Sequence, residues 1–258
     1  MSTLAVHAEQ PVTGVPLVLL HAFPLDSGMW DEVARRLDGV PVVRIDAPGF
    51  GSTPPRSEAG LEAFALDVVA AIRELGAEQA VLAGLSMGGY VAMAVAEEAP
   101  GALAGLALLS TKASADPEPA RAARLEMVAA VERGEPEPAA GMLEKLLGAT
   151  TLRERPDVVD RVRRALAAAP GEGLVWAQRS MAQRPDRLAA LAALPEELPA
   201  LVARGAEDGL MSPEDADAMA DALGTDVVEV ARAGHLLALE DPATVAAALA
   251  DLHRRATA

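Results

Sequence analysis

Three residue types carry the chemistry open to this sequence: a serine set between glycines, a late acid and a late histidine. Ser86 stands in Gly84-Leu85-Ser86-Met87-Gly88-Gly89, a spacing that turns a chain abruptly from strand into helix and holds the hydroxyl proud of the bend. Glycines two before and two after remove the Cβ atoms that would collide where strand and helix approach. A serine hydroxyl is a weak nucleophile until an imidazole accepts its proton. The imidazole in turn needs a carboxylate to fix its tautomer and steady its charge. Asp208, in Gly205-Ala206-Glu207-Asp208-Gly209, and His235, in Ala233-Gly234-His235, follow the serine in chain order. Glu207 is one residue away, so its carboxylate would face elsewhere. A developing alkoxide also needs two N–H donors. We expect them from Met87, at the start of the helix, and from Phe23, in the loop His21-Ala22-Phe23-Pro24.

Apolar runs predict the scaffold for these groups. Strands are expected at Leu4–Glu9, Pro16–Leu20, Val42–Ile45, Val81–Ala83 and Leu103–Leu109, with a turn at Thr13-Gly14. Between them fall a helix from Trp30 to Leu37 capped by Asp26 or Ser27, an amphipathic helix Leu61–Leu75, and the helix after Ser86. Alternation of this kind implies a mostly parallel central sheet flanked by helices. It stops at Ser110. From Thr111 to about Arg184 the sequence reads as helices only, around Ala120–Arg133, Ala139–Leu147, Val158–Ala168 and Leu174–Ala182. Alternation resumes with a helix Asp186–Leu194, a strand Ala200–Arg204, a helix Pro213–Leu223, a strand Asp226–Val230 and a last helix from Pro242. The expected organisation is a core of 1–110 and 186–258 carrying a helical cap, 111–185. In an open parallel sheet reactive groups collect beyond the carboxyl ends of strands, which is where Ser86, Asp208 and His235 all fall.

Composition narrows the classes. The chain has 258 residues, 51% hydrophobic and only 2% aromatic, so its core must be built from Ala, Leu and Val. A net charge of −16 argues against nucleic acid or an anionic membrane as partner. The absence of cysteine excludes disulfides, thiol catalysis and Cys-ligated metals. No close His/Asp/Glu cluster has metal-ligand spacing, and Gly49-x-Gly51 lacks the rest of a dinucleotide fingerprint, so neither metal nor cofactor is expected. Met1-Ser2-Thr3-Leu4 shows no basic-then-apolar leader and no apolar stretch reaches membrane-spanning length, so a cytoplasmic location is expected.

Taken together, these segments resemble the α/β-hydrolase-fold serine hydrolases along nearly the full chain. Leu20-His21-Ala22-Phe23 is similar to the family's His-Gly-x oxyanion motif, Asp46-Ala47-Pro48-Gly49-Phe50-Gly51 to its Asp-x-Pro-Gly-x-Gly loop, and Gly84–Gly89 to its nucleophile turn. Gly205–Asp208 and Gly234-His235 match its acid and histidine segments. Ala22 departs from the usual glycine and adds a methyl beside the oxyanion loop. The resemblance implies cleavage of a small-molecule ester or lactone, with Ser86, His235 and Asp208 as catalytic residues. Within the family, His21-Ala22-Phe23-Pro24-Leu25-Asp26 with Met29-Trp30 is similar to esterases and to 3-oxoadipate enol-lactone hydrolases. A carbon–carbon bond hydrolase is a further alternative. A serine nucleophile sets the chain apart from dehalogenases and epoxide hydrolases of this fold. The rival from another class is a non-catalytic binding protein, which an intact Ser/Asp/His set opposes.

Other residues carry plainer expectations. His21 holds the oxyanion loop and, with Ala22 and Trp176, borders the substrate pocket. Asp46 braces its loop, and His7 and His253 are solvated. Arg121, Arg124, Arg163 and Arg164 belong to the cap surface; a substrate-carboxylate clamp among them would favour the enol-lactonase reading.

Overall fold

Short apolar runs separated by turn residues become the strands of one sheet. The computed structural model describes residues 4–8 and 11–258. In chain order the elements are β1 (Val6–Ala8), β2 (Leu17–Leu20), α1 (Asp31–Ala34), β3 (Val42–Ile45), α2 (Leu61–Glu74), β4 (Ala80–Leu85), α3 (Met87–Glu98) and β5 (Leu103–Leu109). Six helices follow without a strand: α4 (Glu118–Glu132), α5 (Leu143–Leu146), α6 (Ala149–Glu154), α7 (Pro156–Ala168), α8 (Gly171–Gln183) and α9 (Leu188–Ala192). The chain then completes β6 (Ala200–Gly205), α10 (Pro213–Leu223), β7 (Val227–Val230), α11 (Leu237–Glu240) and α12 (Pro242–Ala256).

The seven strands lie in the order β1-β3-β2-β4-β5-β6-β7. Every neighbouring pair is parallel except β1 with β3, where the edge strand runs antiparallel. β4 is therefore the central strand, and it is fully buried, as is β2. Strands covered on both faces read as continuous apolar runs rather than alternating ones, which is why Leu17–Leu20 and Ala80–Leu85 were legible. Helix α3 is buried all round from Met87 to Ala96, the pattern of a core helix without a polar stripe. At the far end, His253 Nε2 lies 2.8 Å from the Val15 carbonyl and ties α12 to the start of β2.

Four expectations change in detail. The segment Trp30–Leu37 is a 3-10 turn, Ser27–Trp30, followed by α1, which stops at Ala34. Its last amides bond three residues back, Arg36 to Val33 and Leu37 to Ala34, tightening the chain toward Gly39 at φ 76°. The helix expected over Ala139–Leu147 is broken into a 3-10 turn, Ala140–Met142, and α5. Helices α6 and α11 were not foreseen. The edge strand is shorter than expected, and Glu9 lies outside the described residues.

Candidate active site

The turn between β4 and α3 explains its own glycines. A Cβ on Gly84 would overlap the Gly88 carbonyl, and one on Gly88 would overlap the Leu20 carbonyl. On Gly89 it would lie 2.6 Å from Thr111 Cγ2. Strand, helix and the neighbouring β2 are thus in backbone contact around Ser86. Ser86 itself sits at φ 55°, ψ −111°, a sparsely populated conformation for a residue with a side chain. Its carbonyl is held by the amides of Gly89 at 2.9 Å and Tyr90 at 3.2 Å. The Thr111 hydroxyl also donates to it, at 2.9 Å.

Beyond β6 and β7 the acid and the histidine meet. His235 Nδ1 lies 3.0 Å from Asp208 Oδ2, and the Asp208 carboxylate is fully buried. The amides of Leu210 and Met211 donate to Asp208 Oδ1 at 2.8 and 3.1 Å. Burial opposes ionisation of Asp208, but the bond to His235 and these amides prevail and hold it below the usual carboxylate range. A Cβ on Gly205 would overlap the Gly234 carbonyl, so the two loops approach this closely only because position 205 is glycine. No hydrogen bond joins the Ser86 hydroxyl to His235 among the described residues; such bonds commonly tighten only as the reacting complex forms.

The His21 loop lies beside this turn, after β2. Among the described residues the N–H groups of Phe23 and Met87 make no hydrogen bond, which leaves both free to donate to a ligand. Phe50 packs edge-on against His21 and Phe23, with ring centroids 5.5 and 6.2 Å away. His21 is enclosed. It is 2% exposed, its Nε2 accepts the Ala47 amide at 2.9 Å, and its Nδ1 faces the Ala22 carbonyl at 3.0 Å. A backbone donor at Nε2 leaves Nδ1 as the protonated nitrogen. Burial lowers the His21 pKa in keeping with that neutral ring. Ala22 is equally enclosed, its amide spent on Met29 Sδ at 3.2 Å. Both residues build the loop from within.

Trp176, expected as a pocket wall, lies on α8. Its indole N–H donates to the Glu58 carbonyl at 3.1 Å and its ring meets Phe64 edge-on at 5.7 Å. It lines a cleft of about 720 Å³ with Arg56, Val131 and Arg179, to which Ser86, Asp208 and His235 do not contribute. Asp46 braces its loop as expected, taking the amides of Ser27 at 2.8 Å and Ser52 at 3.0 Å. His7 and His253, expected in solvent, are both tied down, His7 to Asp46 at 2.9 Å.

Comparison with known proteins decides the family. A model of the Alpha/beta hydrolase family matches residues 17–248. The chain belongs to the α/β-hydrolase family. This hydrolase resembles a thermophilic esterase from Thermogutta terrifontis, solved with malate bound, at TM-score 0.92 and 36% identity, over 99% of this chain and 94% of that one. It is 31% identical over 244 residues to the 2-succinyl-6-hydroxy-2,4-cyclohexadiene-1-carboxylate synthase of Enterobacter sp. (strain 638), covering 92% of this chain and 91% of that protein. Several curated relatives match over less than half their length. One is the pimeloyl-[acyl-carrier protein] methyl ester esterase of Methylococcus capsulatus, 35% identical over 107 residues, which are 41% of each chain.

Several residues of this α/β-hydrolase near the site escaped the sequence reading. Thr111 and Glu240 find partners far away in the chain, and no local spacing marks them. Arg124, expected on the surface, reaches inward to Asp116, Gln178 and Met181. Arg184 lies 2.8 Å and Lys112 3.5 Å from the same Asp116. Three cations therefore surround one buried carboxylate. The Arg184 guanidinium stands 4.0 Å over the ring of Tyr90, one turn beyond Ser86 on α3. Arg121 and Arg163 do remain exposed, paired with Glu118 and Asp160. Among the described residues no group of acidic and histidine side chains could hold a metal ion, and no helix is long and apolar enough to cross a membrane.

Proposed function

We propose that this protein is a serine hydrolase that cleaves a small-molecule carboxylic ester through an acyl-enzyme. The observation that carries the reading is the buried Asp208–His235 pair, 3.0 Å apart, standing past the ends of β6 and β7 in the same sheet that presents Ser86. Ser86 Oγ attacks the ester carbonyl while His235 Nε2 takes its proton, and Asp208 holds the imidazole with its proton on Nδ1. The tetrahedral oxyanion rests on the Phe23 and Met87 amides, each such donor lowering the barrier by about 3–4 kcal/mol. Collapse breaks the C–O bond, and His235 returns the proton to the departing alcohol. Water, deprotonated by His235, then releases the acid and restores Ser86. No cofactor enters these steps.

Residues 111–185 are, in this reading, the cap over the strand ends. A cavity of about 160 Å³ lies between the oxyanion loop and α7, lined by Leu25, Phe50, Val162, Ala165 and Leu239 with Asp26 and Arg161 at its edge, and Ser86, Asp208 and His235 do not line it directly. We seat the variable chain of the ester there. A cavity of that size suits a short chain.

A second reading, an enol-lactonase-like or carbon–carbon bond hydrolase acting on a carboxylate-bearing substrate, is favoured by one observation. Lys112, Arg124 and Arg184 give the seam by Tyr90 an excess of positive charge over Asp116, which suits a substrate carboxylate. The similarity to a cyclohexadiene carboxylate synthase agrees with it.

Hydrolysis of a p-nitrophenyl ester series by wild type and by Ser86→Ala tests the proposal. Turnover that vanishes with the serine supports it. Turnover that survives Ser86→Ala sinks it. An inactive wild type that hydrolyses an anionic lactone selects the second reading, and one that binds such a ligand without turnover selects the binding protein.

A further inference from the structure

The helical insertion meets the core along a broad seam, but at one turn it is bonded to the loops that carry Asp208 and His235. Gly148, at the N-terminus of α6, donates its amide to Glu240 Oε2 at 2.9 Å. The Leu236 amide donates to the Leu146 carbonyl at 3.1 Å. Thr150 gives its amide and its hydroxyl to the two oxygens of Glu207, at 2.7 and 2.6 Å. Glu207 is itself fixed to the histidine loop, its amide on the Ala233 carbonyl at 2.8 Å. A Cβ on Gly148 would lie 2.8 Å from the Gly234 amide, and one on Gly234 would overlap the Gly148 amide. The histidine loop therefore touches both the acid loop and the insertion turn backbone to backbone, and the Glu207 carboxylate bridges the acid loop to the turn.

Glu240 is the unusual member of this contact. It is 7% exposed and forms no ion pair among the described residues; besides the Gly148 amide, the Thr151 hydroxyl and the Gly234 and Leu236 amides face its carboxyl. A buried carboxyl without a cation is costly. Burial accordingly pushes Glu240 toward its protonated form. What the residue does in return is geometric. It stands five positions after His235 at the end of α11 and grips the turn that abuts Gly234.

We propose that Glu240 is a positioning residue, which clamps the histidine loop to the 146–151 turn of the insertion so that His235 stays aligned with Ser86. The inference rests on the Ser86–His235–Asp208 reading. Glu207 makes the matching tie from the acid loop.

The test compares Glu240→Ala and Glu240→Gln in p-nitrophenyl butyrate hydrolysis, with Ser86→Ala and Asp208→Asn measured alongside. Misplacing a reacting group by about 1 Å costs on the order of a hundredfold, so Glu240→Ala is expected to lower kcat about ten- to a hundredfold with KM nearly unchanged. Glu240→Gln keeps an acceptor for Gly148 and restores kcat to within about threefold of wild type. In an Asp208→Asn background the alanine substitution adds little, because residues acting through one unit are non-additive. A folded Glu240→Ala with wild-type kcat overturns the proposal, as does a loss confined to KM or a full additive loss in the Asp208→Asn background. Should that variant not fold, Thr150→Val removes one hydroxyl bond from the same turn. A kcat lowered about threefold, with no more than the Tm drop of about 2–4 °C that one lost hydrogen bond brings, supports the clamp, and an unchanged kcat overturns it. Turnover surviving Ser86→Ala overturns the hydrolase reading and the clamp together. An inactive Ser86→Ala beside a fully active Glu240→Ala overturns the clamp alone.

Discussion

Replacing Thr111 by valine removes one hydroxyl and keeps the shape of the side chain. That hydroxyl donates to the Ser86 carbonyl at 2.9 Å, and the residue is 1% exposed. The same carbonyl also accepts the Gly89 and Tyr90 amides, so the substitution strands no acceptor. The expected cost is then the net worth of one neutral buried hydrogen bond, about 1 kcal/mol. It reads out as a Tm lowered by about 2–4 °C in a chain of this size. Ser86 is held in a conformation that costs of order 1–3 kcal/mol, and Thr111 is one of three groups opposing its relaxation. If the whole kilocalorie passes to the barrier, kcat falls about fivefold. Thermal unfolding and p-nitrophenyl butyrate kinetics measure the two quantities on the same sample. A variant unchanged in both would refute the idea that Thr111 braces the turn. A loss above about a hundredfold at wild-type Tm would refute it differently, by putting the hydroxyl among the reacting atoms.

Three further predictions follow from the site. Asp208→Asn puts an amide donor against His235 Nδ1, forces the other tautomer, and should lower kcat about 10⁴-fold while leaving KM nearly unchanged, as steady-state kinetics will tell. Ala165→Leu fills the cavity between α7 and the oxyanion loop. It should cut kcat/KM for butyrate and longer esters at least about tenfold and spare acetate, measured across the ester series. The pH dependence of stability has two opposite limbs. Glu240 is raised from 4.5 by burial, so the stability linked to it is full below pH 4.5 and lost as pH rises through its folded value. Asp208 is lowered from 3.8, so its contribution holds above pH 3.8 and is lost as pH falls through its folded value. Glu240→Gln should therefore flatten the alkaline limb of a Tm profile and leave the acid limb in place.

The sheet was legible because its strands are short apolar runs bounded by Gly, Pro and Asp, and because the central ones are buried on both faces. The same rule that strand ends carry reactive groups singled out Asp208 and His235, which the structure holds in contact. What the sequence hid depends on contacts between distant segments. Gly148 drew no reading from its neighbours in the chain, yet its lack of a side chain serves Gly234 and Glu207, 86 and 59 residues on. The start of α6 is equally silent. The helix begins at Ala149 with no capping side chain before it, and the carboxylate that receives the Thr150 amide comes from Glu207. Arg124 sits on a polar helix that gave no sign of its inward partner Asp116. Trp176 lines a cleft, but helical spacing fixes a face without saying what that face meets.

The pairing of β5 with β6, Leu106 opposite Ala200, joins segments that leave the ribosome far apart in time. The first five strands and the Ser86 turn are made before any of the six helices that follow, and the sheet cannot gain its last two strands until all of them have emerged. Closing so long an excursion is slow, since the entropy of the loop is spent before the contact rewards it. Asp208 and His235 come later still, and α12 must then return to Val15. In the proposed mechanism, nascent chains therefore hold the nucleophile long before the base, and hydrolysis would report that synthesis has run past His235 and the sheet has closed.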